Sequence, residues 1–184
     1  MTQDYGLEQK FTRMGDVVSV TDGLVISGYA SLFGVADQGG DVVLPGAYAA
    51  GLKRLAANGA SVKMLWQHDP AQPIGVWDEI REDAQGLWVK GRLLPEIDRA
   101  REAAALIAAG AIDGLSIGYR TVAAEKNAKG QRLLAELELW EVSVVTFPML
   151  NEARVGAKGD GPEASDLRDL VAALADATRV LADR

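Results

Sequence analysis

The sequence predicts a mainly β fold with two inserted helices, a β-barrel or sandwich, followed by one further helix at the C-terminus. About eight short runs of β-branched and apolar residues have the pattern of strands, and only two helical segments interrupt them. A parallel α/β sheet would need a helix after nearly every strand, so this count favours mainly antiparallel pairing. The 184 residues, 48% of them hydrophobic, are enough for one core.

The predicted elements follow one another along residues 14–147. Asp22-Gly23, between two β-branched runs, is typical of a hairpin turn, and a Gly- and Asp-rich loop extends from residue 34 to residue 46. Pro95 suits the first turn of a helix that Gly110 can end. The predicted strands are Val17–Val20, Leu24–Phe33, Val62–Gln67, Ile74–Ile80, Gly86–Leu94, Leu115–Val122, Arg132–Leu139 and Trp140–Phe147, and the predicted helices are Ala47–Asn58 and Pro95–Ala109.

The composition changes after Pro148, which indicates where the folded domain ends. Residues 156–163 are rich in glycine and have the composition of a flexible linker. Ser165 can cap a helix over residues 164–184, in which apolar residues recur at helical spacing. We expect a domain over residues 1–155, this linker and a C-terminal amphipathic helix. The apolar stripe indicates that the helix folds back on the domain, pairs in a homodimer or oligomer, or docks to a partner.

Residue counts exclude several kinds of site. Nineteen basic and 26 acidic residues give a net charge of −7, which argues against a nucleic-acid partner. The absence of cysteine removes disulfides, thiolate metal sites and a cysteine nucleophile. His68 is the single histidine, so a zinc site with two imidazoles is excluded. Asp37 and Asp41 do not have EF-hand spacing and fit tight turns better, so we expect no metal and no cofactor.

Membrane and export signals are also missing from the sequence. No run of about 18 apolar residues could cross a membrane. The first six residues lack the basic start and apolar core of a signal peptide. We therefore expect a cytoplasmic chain without a membrane partner.

The segment Gly114-Leu115-Ser116-Ile117-Gly118 matches the Gly-x-Ser-x-Gly nucleophile elbow of α/β hydrolases. That fold does not fit, because the following residues continue as strand and the histidine precedes the serine. Within a strand, the two glycines share the face of Ser116 and would leave a cleared lane on which a peptide could lie. The alternative is that the glycines mark a bulge or barrel corner and the serine is simply small.

His68 is the candidate base for Ser116, because a serine hydroxyl needs a neighbouring base to act as a nucleophile. It follows the apolar run Met64–Trp66, and Pro70 disfavours helix at residue 69, so a strand should give way to a loop there. The alternative is an ordinary surface histidine. A third group should orient the imidazole and stabilise its protonated form.

Glu141 is the candidate for that third group. If its strand has no bulge, residues 137, 139, 141, 143 and 145 share a predominantly apolar face, and a carboxylate there needs a buried partner. In the alternative, Trp140 marks the core face and Glu141 is solvated. Asp69 is a competing acid, although its adjacency to His68 makes a contact with Nδ1 geometrically awkward.

Five segments stand in order along the chain: Gly28–Gly34 (GYASLFG), Gly40–Ala47 (GDVVLPGA), Met64–Asp69 (MLWQHD), Gly114–Tyr119 (GLSIGY) and Leu139–Pro148 (LWEVSVVTFP). Together they resemble the prohead (procapsid) maturation protease family of tailed phages. Prophages and gene transfer agents carry members too, and the family is distantly similar to the herpesvirus assemblins. The resemblance extends from about residue 10 to residue 155.

This resemblance implies a serine endopeptidase on a herpesvirus-protease-like β-barrel flanked by helices. It implies cleavage of the major capsid protein or its scaffold segment, and often of the protease itself, inside the procapsid. Ser116 corresponds to the nucleophile and His68 to the base. Assemblins use a second histidine as third member; this chain has none, so an acid must serve, and we choose Glu141. Oxyanion stabilisation in assemblins involves an arginine-bearing segment, and Arg154 or Arg120 could serve in that role here.

Two other functions fit the same residues. One is a catalytically inactive capsid-assembly or scaffolding module on the same fold, in which Ser116 and His68 lie far apart. The other is a generic β-barrel binding domain whose C-terminal helix is the contact surface. The separation of the serine hydroxyl from the imidazole distinguishes the first of these from an enzyme.

Overall fold

The computed structural model describes residues 8–13, 19–21, 24–37 and 39–146. Within these residues nine strands form one sheet, with two helices inserted in the chain. The predicted mainly β fold with two inserted helices is therefore confirmed. In chain order the elements are β1 (Glu8–Arg13), β2 (Ser19–Thr21), β3 (Val25–Leu32), β4 (Asp41–Val43), α1 (Ala49–Ala57), β5 (Lys63–Trp66), β6 (Asp69–Glu82), β7 (Gly86–Leu93), α2 (Asp98–Ala108), β8 (Gly114–Lys126) and β9 (Arg132–Val145).

The strands are hydrogen-bonded in the order β1-β8-β9-β5-β6-β7-β3-β2, and β4 pairs with β9 outside this path. β4 and β5 run parallel to β9, and the other pairs are antiparallel. β3 also packs against β1 and β8, which lie at the opposite end of the strand order, so the sheet is strongly curled. This curvature places the core on one face of β8 and β9.

Alternating residues of β8 and β9 build that core. Leu115, Ile117 and Tyr119 of β8 are almost fully buried, as are Val142 and Val144 of β9. Side chains alternate between the two faces of a strand, so the residues between these apolar positions face the opposite side. Ser116 is one of them. The core packing of β8 therefore determines the face on which the candidate nucleophile lies.

Several predicted element boundaries are wrong. β1 was not predicted, and β4 lies inside the expected loop at residues 34–46. β6 begins at residue 69 rather than 74, and the two strands expected over residues 132–147 are one strand up to residue 145. α2 begins at Asp98 because Pro95 takes part in a turn in which the amide of Ile97 bonds to the carbonyl of Leu94 at 3.0 Å.

Asp37 and Asp41 stabilise local structure, as the turn interpretation predicts. The Oδ1 atom of Asp37 accepts a hydrogen bond from the amide of Asp41 at 2.8 Å. Asp41 in turn pairs with Arg132 through both carboxylate oxygens, with an Nε–Oδ1 distance of 3.0 Å. This pair fixes the start of β9 against β4. Across the part of the chain described here, no cluster of three or more histidine and acidic residues could hold a metal ion.

Some predictions fall outside the described residues. These are the Asp22-Gly23 turn, the linker at residues 156–163, the helix at residues 164–184 and Arg154. The two strands that flank the turn do pair antiparallel, with Val20 opposite Ile26. Within residues 8–13, 19–21, 24–37 and 39–146, no helix is long and apolar enough to cross a membrane.

Candidate active site

His68 lies in a two-residue turn between β5 and β6. Gln67 and His68 have φ angles of 53° and 62°, and a type I′ hairpin turn requires positive φ at both central residues. Asn-Gly is the preferred sequence for such a turn. Other residues at positive φ destabilise the fold by about 1–3 kcal/mol each, and such strained residues often occur at functional sites. The expected transition from strand to loop is thus wrong: the chain turns back within two residues, directly into β6.

Strand β9 holds this turn in place. The amide of Gln67 donates to the carbonyl of Val144 at 3.0 Å, and Gln67 Nε2 donates to Thr146 Oγ1 at 2.6 Å. The amide of His68 donates to Ser143 Oγ at 3.2 Å. These contacts offset the strain of the turn and hold the imidazole above the β8–β9 pair.

The imidazole of His68 bridges Ser116 and Glu141. Its Nε2 atom lies 2.7 Å from Ser116 Oγ, and its Nδ1 atom lies 2.5 Å from Glu141 Oε1. An ionised carboxylate can only accept hydrogen bonds, so we assign the ring proton to Nδ1. Nε2 then carries a lone pair and accepts a hydrogen bond from the hydroxyl of Ser116. The structure thus brings together the three residues that the sequence selects as candidates.

A β-bulge at Trp140 determines the direction of the Glu141 side chain. Gly118 pairs with Glu141 and Tyr119 with Leu139, so Trp140 is an extra residue on β9. The bulge reverses the alternation of faces, as bulges near active sites often do. Leu139 lies in the core before it and Val142 after it.

Neither sequence interpretation of this strand is correct, because both assumed unbroken alternation. Glu141 does not share the face of Leu137 and Leu139, which lie in the core. It is not solvated either, since it is 8% exposed, whereas Trp140 is 50% exposed. Glu141 shares its face with Ser143, and its side chain lies over Gly118 on the neighbouring strand. The carboxylate does have the buried partners that its position requires.

The cleared lane predicted beside Ser116 is occupied. The side chain of Glu141 fills the space above Gly118, where an added Cβ would collide with it. Ser116 is itself fully buried. Gly118 is therefore needed for space next to the acid, and not for direct access to the serine.

Ser143 was missed as a site residue by the sequence reasoning. Its Oγ atom lies 2.5 Å from Glu141 Oε2 and 3.2 Å from the backbone nitrogen of His68. The residue is fully buried and lies opposite Ser116 in the β8–β9 register. Its place in the sequence, two residues after Glu141, could have indicated a contact with the acid, because alternate residues of a strand share a face.

The competing acid and the candidate oxyanion residue have other partners. Asp69 accepts hydrogen bonds from the amide of Ala71 and from Gln72 Nε2, both at 2.8 Å. The guanidinium of Arg120 pairs with Glu138, with an Nε–Oε2 distance of 3.1 Å. Glu141 is the carboxylate that contacts Nδ1 of His68.

A hydroxyl, an imidazole and a carboxylate joined in this order are the arrangement found in serine hydrolases. On a mainly antiparallel sheet, this site defines a serine-hydrolase-like protein outside the α/β-hydrolase fold. The chain belongs to the caudovirus prohead serine protease family, whose sequence model matches residues 12–165. The family predicted from the five segments is therefore confirmed.

One relative by sequence and one solved structure are similar to this chain. The chain is 32% identical over 149 residues to the prohead protease of Enterobacteria phage HK97, and the match covers 79% of this chain. It spans 65% of the length of that relative, slightly under two thirds. The fold is similar to that of the bacteriophage T4 capsid assembly protease, with a TM-score of 0.62 at 16% identity, over 77% of this chain and 98% of the other. At that identity the likeness concerns the fold alone.

Proposed function

We propose that this protein is a serine endopeptidase that cleaves capsid or scaffold protein, and itself, during procapsid maturation. The hydrogen-bonded chain from Ser116 through His68 to Glu141 is the single observation that carries this proposal. Membership of a family described as prohead serine proteases supports it independently. An inactive assembly module is disfavoured, because a separation of 2.7 Å between Ser116 Oγ and the imidazole is the distance of a working hydrogen bond.

The proposed reaction is acyl transfer in two halves. Ser116 Oγ attacks the carbonyl carbon of the scissile bond while His68 Nε2 takes the hydroxyl proton. Glu141 stabilises the imidazolium through Nδ1. The tetrahedral intermediate expels the amine, which leaves with the proton from His68, and an ester on Ser116 remains. Water, deprotonated by the same imidazole, then attacks the ester carbonyl, and the carboxylic acid leaves as Ser116 regains its proton.

The proposed substrate and location are based on the names of the two similar proteins. One is a prohead protease and the other a capsid assembly protease. For this chain we accordingly propose the major capsid protein, or a scaffold segment of it, as substrate and the interior of the procapsid as the place of action. The relation to the herpesvirus assemblins and the homodimer or oligomer expected from the C-terminal stripe stay predictions.

Co-expression with a major capsid protein from the same source tests the proposal. The wild type should shorten the capsid protein on a gel, and Ser116→Ala should leave it intact. Ser31→Ala is the matched control, because Ser31 is equally buried but lies on β3, away from the triad. Full processing by Ser116→Ala would overturn the nucleophile assignment. Intact capsid protein with every variant, in particles that still assemble, would favour the inactive module.

A further inference from the structure

The hydroxyl of Ser143 connects two members of the candidate triad. Its Oγ atom lies 2.5 Å from Glu141 Oε2 and 3.2 Å from the amide nitrogen of His68. A backbone amide can only donate, so the hydroxyl accepts that bond through a lone pair. Its one proton is then available for Glu141. Donation to Oε2 matches a carboxylate that accepts hydrogen bonds through both of its oxygens.

The contact with Glu141 fixes the orientation of the carboxylate. Oε1 faces His68 Nδ1 and Oε2 faces Ser143 Oγ, so both oxygens have a donor. Glu141 is 8% exposed, and water offers little substitute for a lost partner at such a position. Without the Ser143 hydroxyl, the carboxylate would be free to turn away from the imidazole.

The contact with the His68 amide fixes the base. His68 has a φ of 62°, which is unfavourable for a residue with a side chain, so the turn depends on the contacts that hold it. Ser143 supplies one of those contacts, from the same strand that carries Glu141. One oxygen atom therefore sets the position of the acid relative to the base.

We propose that Ser143 is a positioning residue for the peptidase reaction, which holds the Glu141 carboxylate and the His68 turn in register. This inference rests on the proposed function. The hydroxyl acts through Glu141 and His68, so its loss should lower kcat and leave KM nearly unchanged. A residue that merely fills space would instead change stability without this separation of kcat from KM.

The test compares Ser143→Ala, Ser143→Thr and the control Ser31→Ala in cleavage of a capsid-protein segment. We expect kcat to fall about 10- to 100-fold in Ser143→Ala, because the free energy of one hydrogen bond to a charged group corresponds to a rate factor of about this size. Threonine keeps the hydroxyl and should retain most of kcat, and Ser31→Ala should match the wild type. A kcat for Ser143→Ala within about twofold of wild type, or a loss that threonine does not recover, overturns the inference.

A second readout does not depend on cleavage. His68 is the single histidine, so a far-downfield imidazole proton resonance can be assigned to its bond with Glu141. We expect this resonance to move upfield in Ser143→Ala and to stay in Ser143→Thr, and an unchanged resonance in Ser143→Ala overturns the inference. If Ser143→Ala does not fold, Ser143→Cys replaces it, because a thiol is a weaker hydrogen-bond donor than a hydroxyl. A kcat of Ser143→Cys equal to that of Ser143→Thr then overturns the inference.

The activity of Ser116→Ala separates this inference from the proposed function. If the wild type cleaves the segment and Ser116→Ala does not, the peptidase assignment stands whatever Ser143→Ala does. If Ser116→Ala cleaves normally, the proposed function fails, and the role of Ser143 in that reaction fails with it.

Discussion

The side chain of Glu141 occupies the space that a side chain at position 118 would need. A Cβ atom built on Gly118 would lie 2.9 Å from both Cγ and Cδ of Glu141, and closer still to Oε1. Non-bonded carbon atoms are normally at least about 3.5 Å apart, so residue 118 must be glycine if Glu141 is to reach His68 across the β8–β9 pair. The segment around Ser116 thus meets two requirements on one strand face: a hydroxyl at 116 and an empty position at 118.

Gly118→Ala should therefore abolish most activity while the protein stays folded. The new methyl group collides with the side chain of Glu141 and not with backbone atoms, so the carboxylate has to move and the backbone does not. We expect kcat to approach that of Glu141→Ala and the thermal midpoint to change by a few degrees. Cleavage of the capsid segment and a thermal melt measure the two effects. Wild-type kcat in a folded Gly118→Ala protein would show that the carboxylate position is irrelevant.

Glu141→Gln should slow turnover strongly. The amide cannot stabilise the imidazolium, and it favours the wrong tautomer of His68; a change of this kind lowers kcat by about 10⁴-fold in the serine-protease example. Glu138→Gln is the matched control, since Glu138 lies on the same strand and pairs with Arg120.

Asp69→Asn should leave kcat within a few-fold of wild type, because Asp69 bonds to Ala71 and Gln72. A strong loss in Asp69→Asn with an active Glu141→Gln would reverse the assignment of the acid.

The tautomer of His68 can be measured without any substrate. Because the chain has one histidine, the imidazole nitrogens in a long-range ¹H–¹⁵N spectrum of uniformly labelled protein all belong to that residue. We expect the neutral ring to carry its proton on Nδ1, facing Glu141, and Nε2 to have the shift of an acceptor nitrogen. In Glu141→Gln this preference should weaken. A neutral ring protonated on Nε2 in the wild type would contradict the hydrogen-bond directions on which the mechanism depends.

Tyr48 should make stability depend on alkaline pH. Its side chain is fully buried and stacks on Phe33, and burial raises the pKa of its hydroxyl above the usual range. In the unfolded chain the same hydroxyl ionises near pH 10, so above that pH the unfolded state has lost a proton that the folded state retains. The free energy of unfolding should then fall by up to about 1.4 kcal/mol per pH unit from this residue.

Urea unfolding of wild type and Tyr48→Phe between pH 7 and 11 isolates this contribution. The wild type should lose stability relative to the variant only above about pH 10, since phenylalanine has no proton to release. Parallel stability curves for the two proteins over the whole range would mean that the hydroxyl ionises equally in both states.

The pairing of Ser116 with His68 was predictable for chemical reasons. A single histidine in the chain leaves one candidate base, and a serine flanked by glycines in a strand is unusual enough to single out. Helix ends were predictable from local conformation: Gly59 and Gly110 have φ angles of 62° and 70°, which glycine adopts without strain. In each case one residue type satisfies a local requirement.

The face of Glu141 and the turn at His68 could not be predicted in that way. The bulge at Trp140 depends on how β9 pairs with β8, and no glycine marks it in the sequence. Gln67 and His68 are not typical of a type I′ turn, and they adopt positive φ because Ser143 on β9 and Thr146 just after it hold them. Tertiary contacts determine both features, so a reading of local patterns alone misses them.

The proposed activation of Ser116 by His68 is tested most directly by the intact mass of active protein after treatment with a fluorophosphonate, followed by peptide mapping. We expect one adduct per chain on Ser116, none in Ser116→Ala, and labelling in Glu141→Gln that is slowed in parallel with cleavage. Complete inhibition with the adduct on another residue, or with Ser116 unmodified, would contradict it.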